Sequence, residues 1–282
     1  MTHVYSRLLG ISLAVLAVSF GAAQARADVL TITDLNSTAD IDYHSGALAP
    51  NGMTKWEVDG VDHMFQQSFW FRIGSTGPEM SIDDLTLGVH GTTDTNFDLI
   101  DETAFFRFTG LGLEIEVTYL LTGGTAGSLT SDVGESIKIK NTSGGGLDVH
   151  FFQYTDFDLN GGSGGQTATF ISPFAFRQSG NGVVVTETVA TPAPKHHEAN
   201  LFSTTRDALE DLVATTLNDV DSSGPGDATW AFQWDATIGA GGSFLISKDK
   251  HLSAVPEPSS CVLMGIGAVG LAIRGWRRRR VA

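Results

Sequence analysis

Between residues 28 and 254, apolar and polar residues alternate with a period of two over many short runs, and turn-forming residues separate those runs. This period puts successive side chains on opposite faces of a strand. Leu113, Ile115, Val117, Tyr119 and Leu121 fall on one face while Glu114, Glu116 and Thr118 fall on the other, and Ile137 and Ile139 alternate with Lys138 and Lys140. Over residues 65–73, Phe65, Phe69, Phe71 and Ile73 form the core-facing set, opposite Gln66, Ser68, Trp70 and Arg72. Residues 149–157 are apolar on both faces, with Val149, Phe151 and Phe157 on one and Phe152 and Tyr154 on the other, as in a central strand. The β-branched run 183–189 and the segments 229–238 and 243–247 add further strands, with Trp230, Phe232 and Trp234 directed at the core. Glycine-rich linkers at 123–124, 144–146 and 161–165 punctuate them. The pattern predicts an all-β body, a β-sandwich of antiparallel strands. A single helix is predicted over residues 205–217, where Leu209, Leu212, Val213 and Leu217 share a face behind a cap at Ser203 or Thr204. The stretch 191–197, with Pro192 and Pro194, reads as an exposed loop.

The two ends break this pattern. Arg7 precedes an apolar run from Leu8 to Phe20, and Ala25-Arg26-Ala27 supplies the small-x-small sequence that signal peptidase accepts. A signal peptide over residues 1–27 is expected, with Asp28 first in the mature chain and signal peptidase as a processing partner. At the other end, Val255-Pro256-Glu257-Pro258 leads into an apolar stretch at 259–276 and then a basic cluster of Arg274, Arg277, Arg278, Arg279 and Arg280. Residues 259–273 as a helix span about 22 Å at roughly 1.5 Å per residue, short of a hydrocarbon core of about 30 Å. Extension through Trp276 and snorkelling arginines close the gap, so a membrane helix over 259–276 is expected. By the positive-inside rule the arginines stay cytoplasmic and the body lies outside. Pro256 and Pro258 lack an N–H and hold their segment extended and open to a protease.

This order of motif, short apolar helix and arginine stop resembles the PEP-CTERM sorting tail of exported bacterial proteins. The resemblance covers about a tenth of the chain. It implies that a membrane-embedded exosortase recognises residues 255–258 and removes the helix, so those residues are a processing site. It further implies an inner-membrane precursor delivered to the cell surface or to a polysaccharide-rich extracellular matrix, with a structural or adhesive, non-enzymatic role. The expected domains are therefore 1–27, 28–254 and 255–282.

Charge narrows the partners. Without the two ends, ten basic residues face 31 acidic ones, a net charge of −21. Such a field repels nucleic acid and attracts cations. The lone cysteine, Cys261, lies in the tail, so the body has no thiol for disulfides, nucleophilic catalysis or metal ligation.

Several motifs carry candidate chemistry. Asp156, Asp158, Asn160 and Gly161 repeat the first half of an EF-hand loop, but Thr167 stands where the bidentate Glu is needed. Asp219, Asp221, Ser223 and Gly224, with Asp227 nearby, repeat the alternate oxygen spacing, and calcium is the one cofactor these sets suggest. Residues 161–165 match G-x-S-x-G, yet small residues between two strands do not make a hydrolase elbow. Gly265, Gly267 and Gly270 match a dinucleotide fingerprint without a βαβ unit around them. His196-His197-Glu198 are adjacent in a proline-flanked loop, where their side chains diverge. Trp70, among polar neighbours, is a candidate sugar contact, which makes a carbohydrate-binding module the alternative function. A polysaccharide hydrolase or lyase is a third reading, which the many carboxylates allow but do not indicate. No catalytic residue is assigned.

Overall fold

In a computed structural model, residues 28–44 and 52–255 are described. The signal segment, the apolar tail with its arginines, and the glycines at 265–270 lie outside the described residues. Among the described residues no helix is long and apolar enough to cross a membrane.

The body is all-β, built from two antiparallel sheets packed face to face. The first sheet runs β1 (Asp28–Asp34), β2 (Ser37–His44), β3 (Gly52–Val58), β5 (Gln66–Ile73), β11 (Leu147–Asp156), β17 (Ala228–Ile238) and β15 (His196–Leu201). Two short strands, β4 (Val61–Asp62) and β6 (Met80–Ser81), pair with β3 and β5. The second sheet runs β16 (Ser222–Gly226), β12 (Gln166–Ser172), β13 (Ala175–Gly180), β14 (Val183–Thr191), β18 (Ser243–Ala254), β10 (Thr130–Asn141), β9 (Leu113–Gly123), β8 (Thr103–Gly110) and β7 (Thr86–Thr93). The expected alternations hold. Leu113, Ile115, Val117, Tyr119, Leu121, Ile137 and Ile139 meet Phe69, Phe71, Phe151, Trp230, Phe232 and Trp234 in one core between the sheets. Strand β11 is central, flanked by β5 and β17, which is why its second face is apolar too.

That second face explains where the pattern misled. The expected helix over 205–217 is only α1 (Thr204–Leu209), and Leu212 and Val213 are exposed. Beyond α1 the amides of Thr215 and Leu217 donate outside the helix, to Glu79 Oε1 and Gln233 Oε1, each at 2.9 Å. Arg72, ion-paired with Glu79, donates to the Thr215 carbonyl at 2.9 Å. The segment thus lies as a cover over the outer face of the first sheet. Leu209 and Leu217 pack on Trp70, Phe152, Tyr154 and Ala231 in a second, smaller core. Phe65 also departs from expectation: it precedes β5 and is half exposed instead of core-facing.

Four charges lie inside the main core. Glu135 on β10 and Lys248 on β18 are directly opposite each other, as are Glu187 on β14 and Lys250 on β18. Both lysines pair with Glu135, and they reach Glu187 at 3.2 and 3.5 Å. From the facing sheet, Gln67 donates to Glu135 at 2.6 Å and Gln153 to Glu187 at 3.0 Å. All four ionic side chains are fully buried. Burial opposes the charge on Glu135, but the two ammonium groups outweigh it and hold its carboxyl below the usual range.

Candidate functional site

One end of the first sheet gathers a group of carboxyls around a buried oxygen without a hydrogen-bond partner. Strand β11 ends at Asp156, and Asp158 follows in the turn before a single 3-10 turn at Leu159–Gly161. Asp227 immediately precedes β17, whose Thr229 is the ladder partner of Asp156. The chain therefore brings three carboxylates from two segments 70 residues apart to within 4.8 Å of one another. They line a cavity of about 200 Å³ together with Ser163, Phe65 and Phe202. Phe65 and Phe202 meet edge to face at 5.9 Å, and both are partly exposed at its rim. Arg206 of α1 stacks on Phe202 with its guanidinium carbon 4.6 Å from the ring centroid.

Asp156 is only 1% exposed, and its Oδ1 has no hydrogen-bond partner. Its Oδ2 accepts a long bond of 3.4 Å from the Tyr154 hydroxyl. Burial, then the charges of Asp227 and Asp158, push the Asp156 carboxyl up to about 7. Asp158 is raised for the same kinds of reason, by burial, Asp227 and Asp62, and Asp227 by burial. Three carboxylates that suppress one another's ionisation, around a buried oxygen without a donor, form an arrangement that a cation or a hydroxyl-bearing ligand would satisfy.

The two acidic sets expected from spacing are regrouped. Asp156 and Asp158 meet Asp227, whereas the Asn160 side chain turns to the Asn181 carbonyl at 3.2 Å. Asp219 and Asp221 are taken by histidines: Asp219 Oδ2 lies 3.0 Å from His196 Nδ1, and Asp221 Oδ1 lies 2.9 Å from His197 Nε2. His196 and His197 open the edge strand β15 instead of lying in a loop, and His197 stacks on Phe170 at 3.5 Å. Trp70 corrects the sugar-contact expectation: at 2% exposure beneath Leu209 and Leu217 it offers no platform. The G-x-S-x-G stretch runs into strand β12, not a helix. Spacing missed the aromatic rim altogether, because Phe65 read as core and Phe202 belonged to no periodic run.

Residues 254–280 match the family model of the PEP-CTERM protein-sorting motif. The chain ends in a PEP-CTERM sorting tail. The PEP-CTERM motif implies an exported precursor handled by an exosortase. No curated protein sequence matches the chain. Among solved structures, a bacterial glucoamylase complexed with acarbose is similar over 87% of this chain and 35% of that one, with a TM-score of 0.53 at 10% identity. The chain thus spans about a third of the glucoamylase. A protein assigned as an aldose 1-epimerase, from Escherichia coli K12, is similar over 80% of this chain and 99% of that one, with a TM-score of 0.50 at 8% identity. At such identities the likeness is one of fold alone.

Proposed function

We propose that this chain is an exported surface or extracellular-matrix protein with a structural or adhesive, non-enzymatic role, sorted through its PEP-CTERM tail. The observation that carries the reading is the sorting motif at 254–280 placed directly after a closed β-sandwich. The end of the body agrees with it: β18 ends at Ala254, next to Val255. The apolar stretch 259–276 then acts as a temporary inner-membrane anchor with its arginines on the cytoplasmic side. In the native host, Glu257→Ala is expected to leave precursor in the inner-membrane fraction, with an intact mass that still includes the tail. Release of that variant at the wild-type rate and mass would sink the sorting assignment.

A second reading, saccharide binding, is favoured by the cavity described above. Its exposed Phe65 and Phe202 offer ring faces to a sugar, and the carboxylates beside them offer hydroxyl acceptors or a calcium site. Retention of the released protein on immobilised matrix polysaccharide is expected to fall severalfold in Phe202→Ala. Equal retention by wild type and variant would remove this reading and leave the first one standing.

A further inference from the structure

A second acidic group lies on the other sheet, in the hairpin that joins β7 to β8. Its loop, residues 94–102, reads Asp-Thr-Asn-Phe-Asp-Leu-Ile-Asp-Glu. Asp94, Asn96, Asp98 and Glu102 occupy positions 1, 3, 5 and 9, with the Ile100 carbonyl at position 7. Calcium loops draw their oxygen ligands from those positions. The structure brings the carboxylates together, with oxygens of Asp94, Asp98 and Glu102 all within 4.8 Å of one another.

The independent sign of a ligand is Glu102. It is 3% exposed, and its Oε2 is buried with no hydrogen-bond partner. Its Oε1 is fully used, accepting the amides of Thr95 at 2.7 Å and Asn96 at 3.1 Å and the hydroxyl of Thr95. A buried carboxyl oxygen without a donor is costly, and the carboxyls of Asp94 and Asp98 lie beside this one. The remaining ligands are already aimed. Asp94 accepts the amides of Phe97 and Leu99 at 2.6 and 2.8 Å, and Asp98 accepts that of Ile100 at 2.9 Å. Phe97 and Leu99 take left-handed backbone angles, φ 66° and 76°, and their side chains project into solvent, so apolar packing does not explain the loop's shape.

We propose that Asp94, Asp98 and Glu102, completed by Asn96 and the Ile100 carbonyl, bind a divalent cation of the calcium type. The cation supplies the missing partner of Glu102 and cancels the repulsion among the three acids. Its affinity falls in the range of extracellular calcium modules, with a Kd of about 10⁻⁴–10⁻³ M. The site is independent of the sorting tail and of the Asp156 cavity, so its failure and theirs are separable.

Phe97 and Leu99 make the proposal measurable, because chymotrypsin cleaves after such residues when their loop opens. With calcium at about ten times the Kd, opening, and with it cleavage of the full chain in detergent, is expected to slow about tenfold relative to EDTA. Asp98→Ala, which removes an exposed ligand, is expected to abolish the difference, whereas Asp158→Asn leaves it intact. Calorimetric titration with calcium chloride should count one site fewer in Asp98→Ala. Equal cleavage with calcium and with EDTA in the wild type overturns the site. So does protection that survives Asp98→Ala, since the cation would then lie elsewhere.

Discussion

Asp156 has to give up its proton inside a cavity that already holds two carboxyls, and it does so only at about pH 7. An aspartate in the unfolded chain ionises near 3.8. Between those values the native state keeps a proton that the unfolded state releases. The sign follows directly: stability falls as pH rises through this window, by about 1.4 kcal/mol per unit of difference, on the order of 4–5 kcal/mol once above pH 7. Asp156→Asn keeps the shape and removes the ionisation. In urea unfolding with EDTA present, the stability of the variant relative to wild type is expected to be lowest near pH 4 and to rise through pH 5 and 6 to its full gain at pH 8. Parallel pH profiles for the two would show that Asp156 is not held protonated. The same cavity shows why single-residue assignments from spacing went astray. Asp158 and Asn160 are neighbours in sequence, but Asn160 adopts a left-handed backbone at φ 57° and points to Asn181, while Asp227 enters from a different strand.

At the level of elements, legibility followed burial on one face. Strand β9 was readable because it puts an unbroken apolar set into the core; β10 and β14 were readable although each carries one glutamate in its inward set, and β11 and β17 because apolar residues recur on both of their buried faces. Strand β18 was readable only as far as Ser247, because its next inward positions are Lys248 and Lys250, and inward lysines look like surface to a hydropathy pattern. The helix was overextended for a related reason. Leu209 and Leu217 do share a buried face, but they bury against Trp70 by way of an irregular segment tied to Glu79 and Gln233, and no helical hydrogen bond joins them. Of the polar flank of β5 that marked Trp70 as open, Arg72 anchors this cover through the Thr215 carbonyl. Of the acidic sites, half was legible. Alternate carboxylates at 156 and 158 signal their own proximity, but a partner at 227 does not. The loop at 94–102 does carry a recognisable spacing, Asp-x-Asn-x-Asp-x-x-x-Glu, which closes at position nine without the EF-hand glycine at six.

Across the whole molecule, the largest polar feature inside the core is the buried set of Glu135, Glu187, Lys248 and Lys250 on the second sheet. Its charges cancel, and Gln67 and Gln153 extend it from β5 and β11 across the core to β10 and β14. Desolvating two ions of each sign costs several kcal/mol per ion, and their mutual attraction with the glutamine hydrogen bonds offsets that cost only while the set is complete. Stability therefore responds asymmetrically. Lys250→Met leaves two glutamates against one ammonium in a space sealed from water, and is expected to cost about 3–5 kcal/mol. Replacing all four by apolar residues of similar volume removes attraction and penalty together, and is expected to end within about 1 kcal/mol of wild type or above it. Denaturant midpoints of the single and the quadruple variant decide the matter. A quadruple variant less stable than Lys250→Met would mean that the charges contribute more than they cost, and that this part of the core is held by ion pairs and not by the aromatic contacts around them.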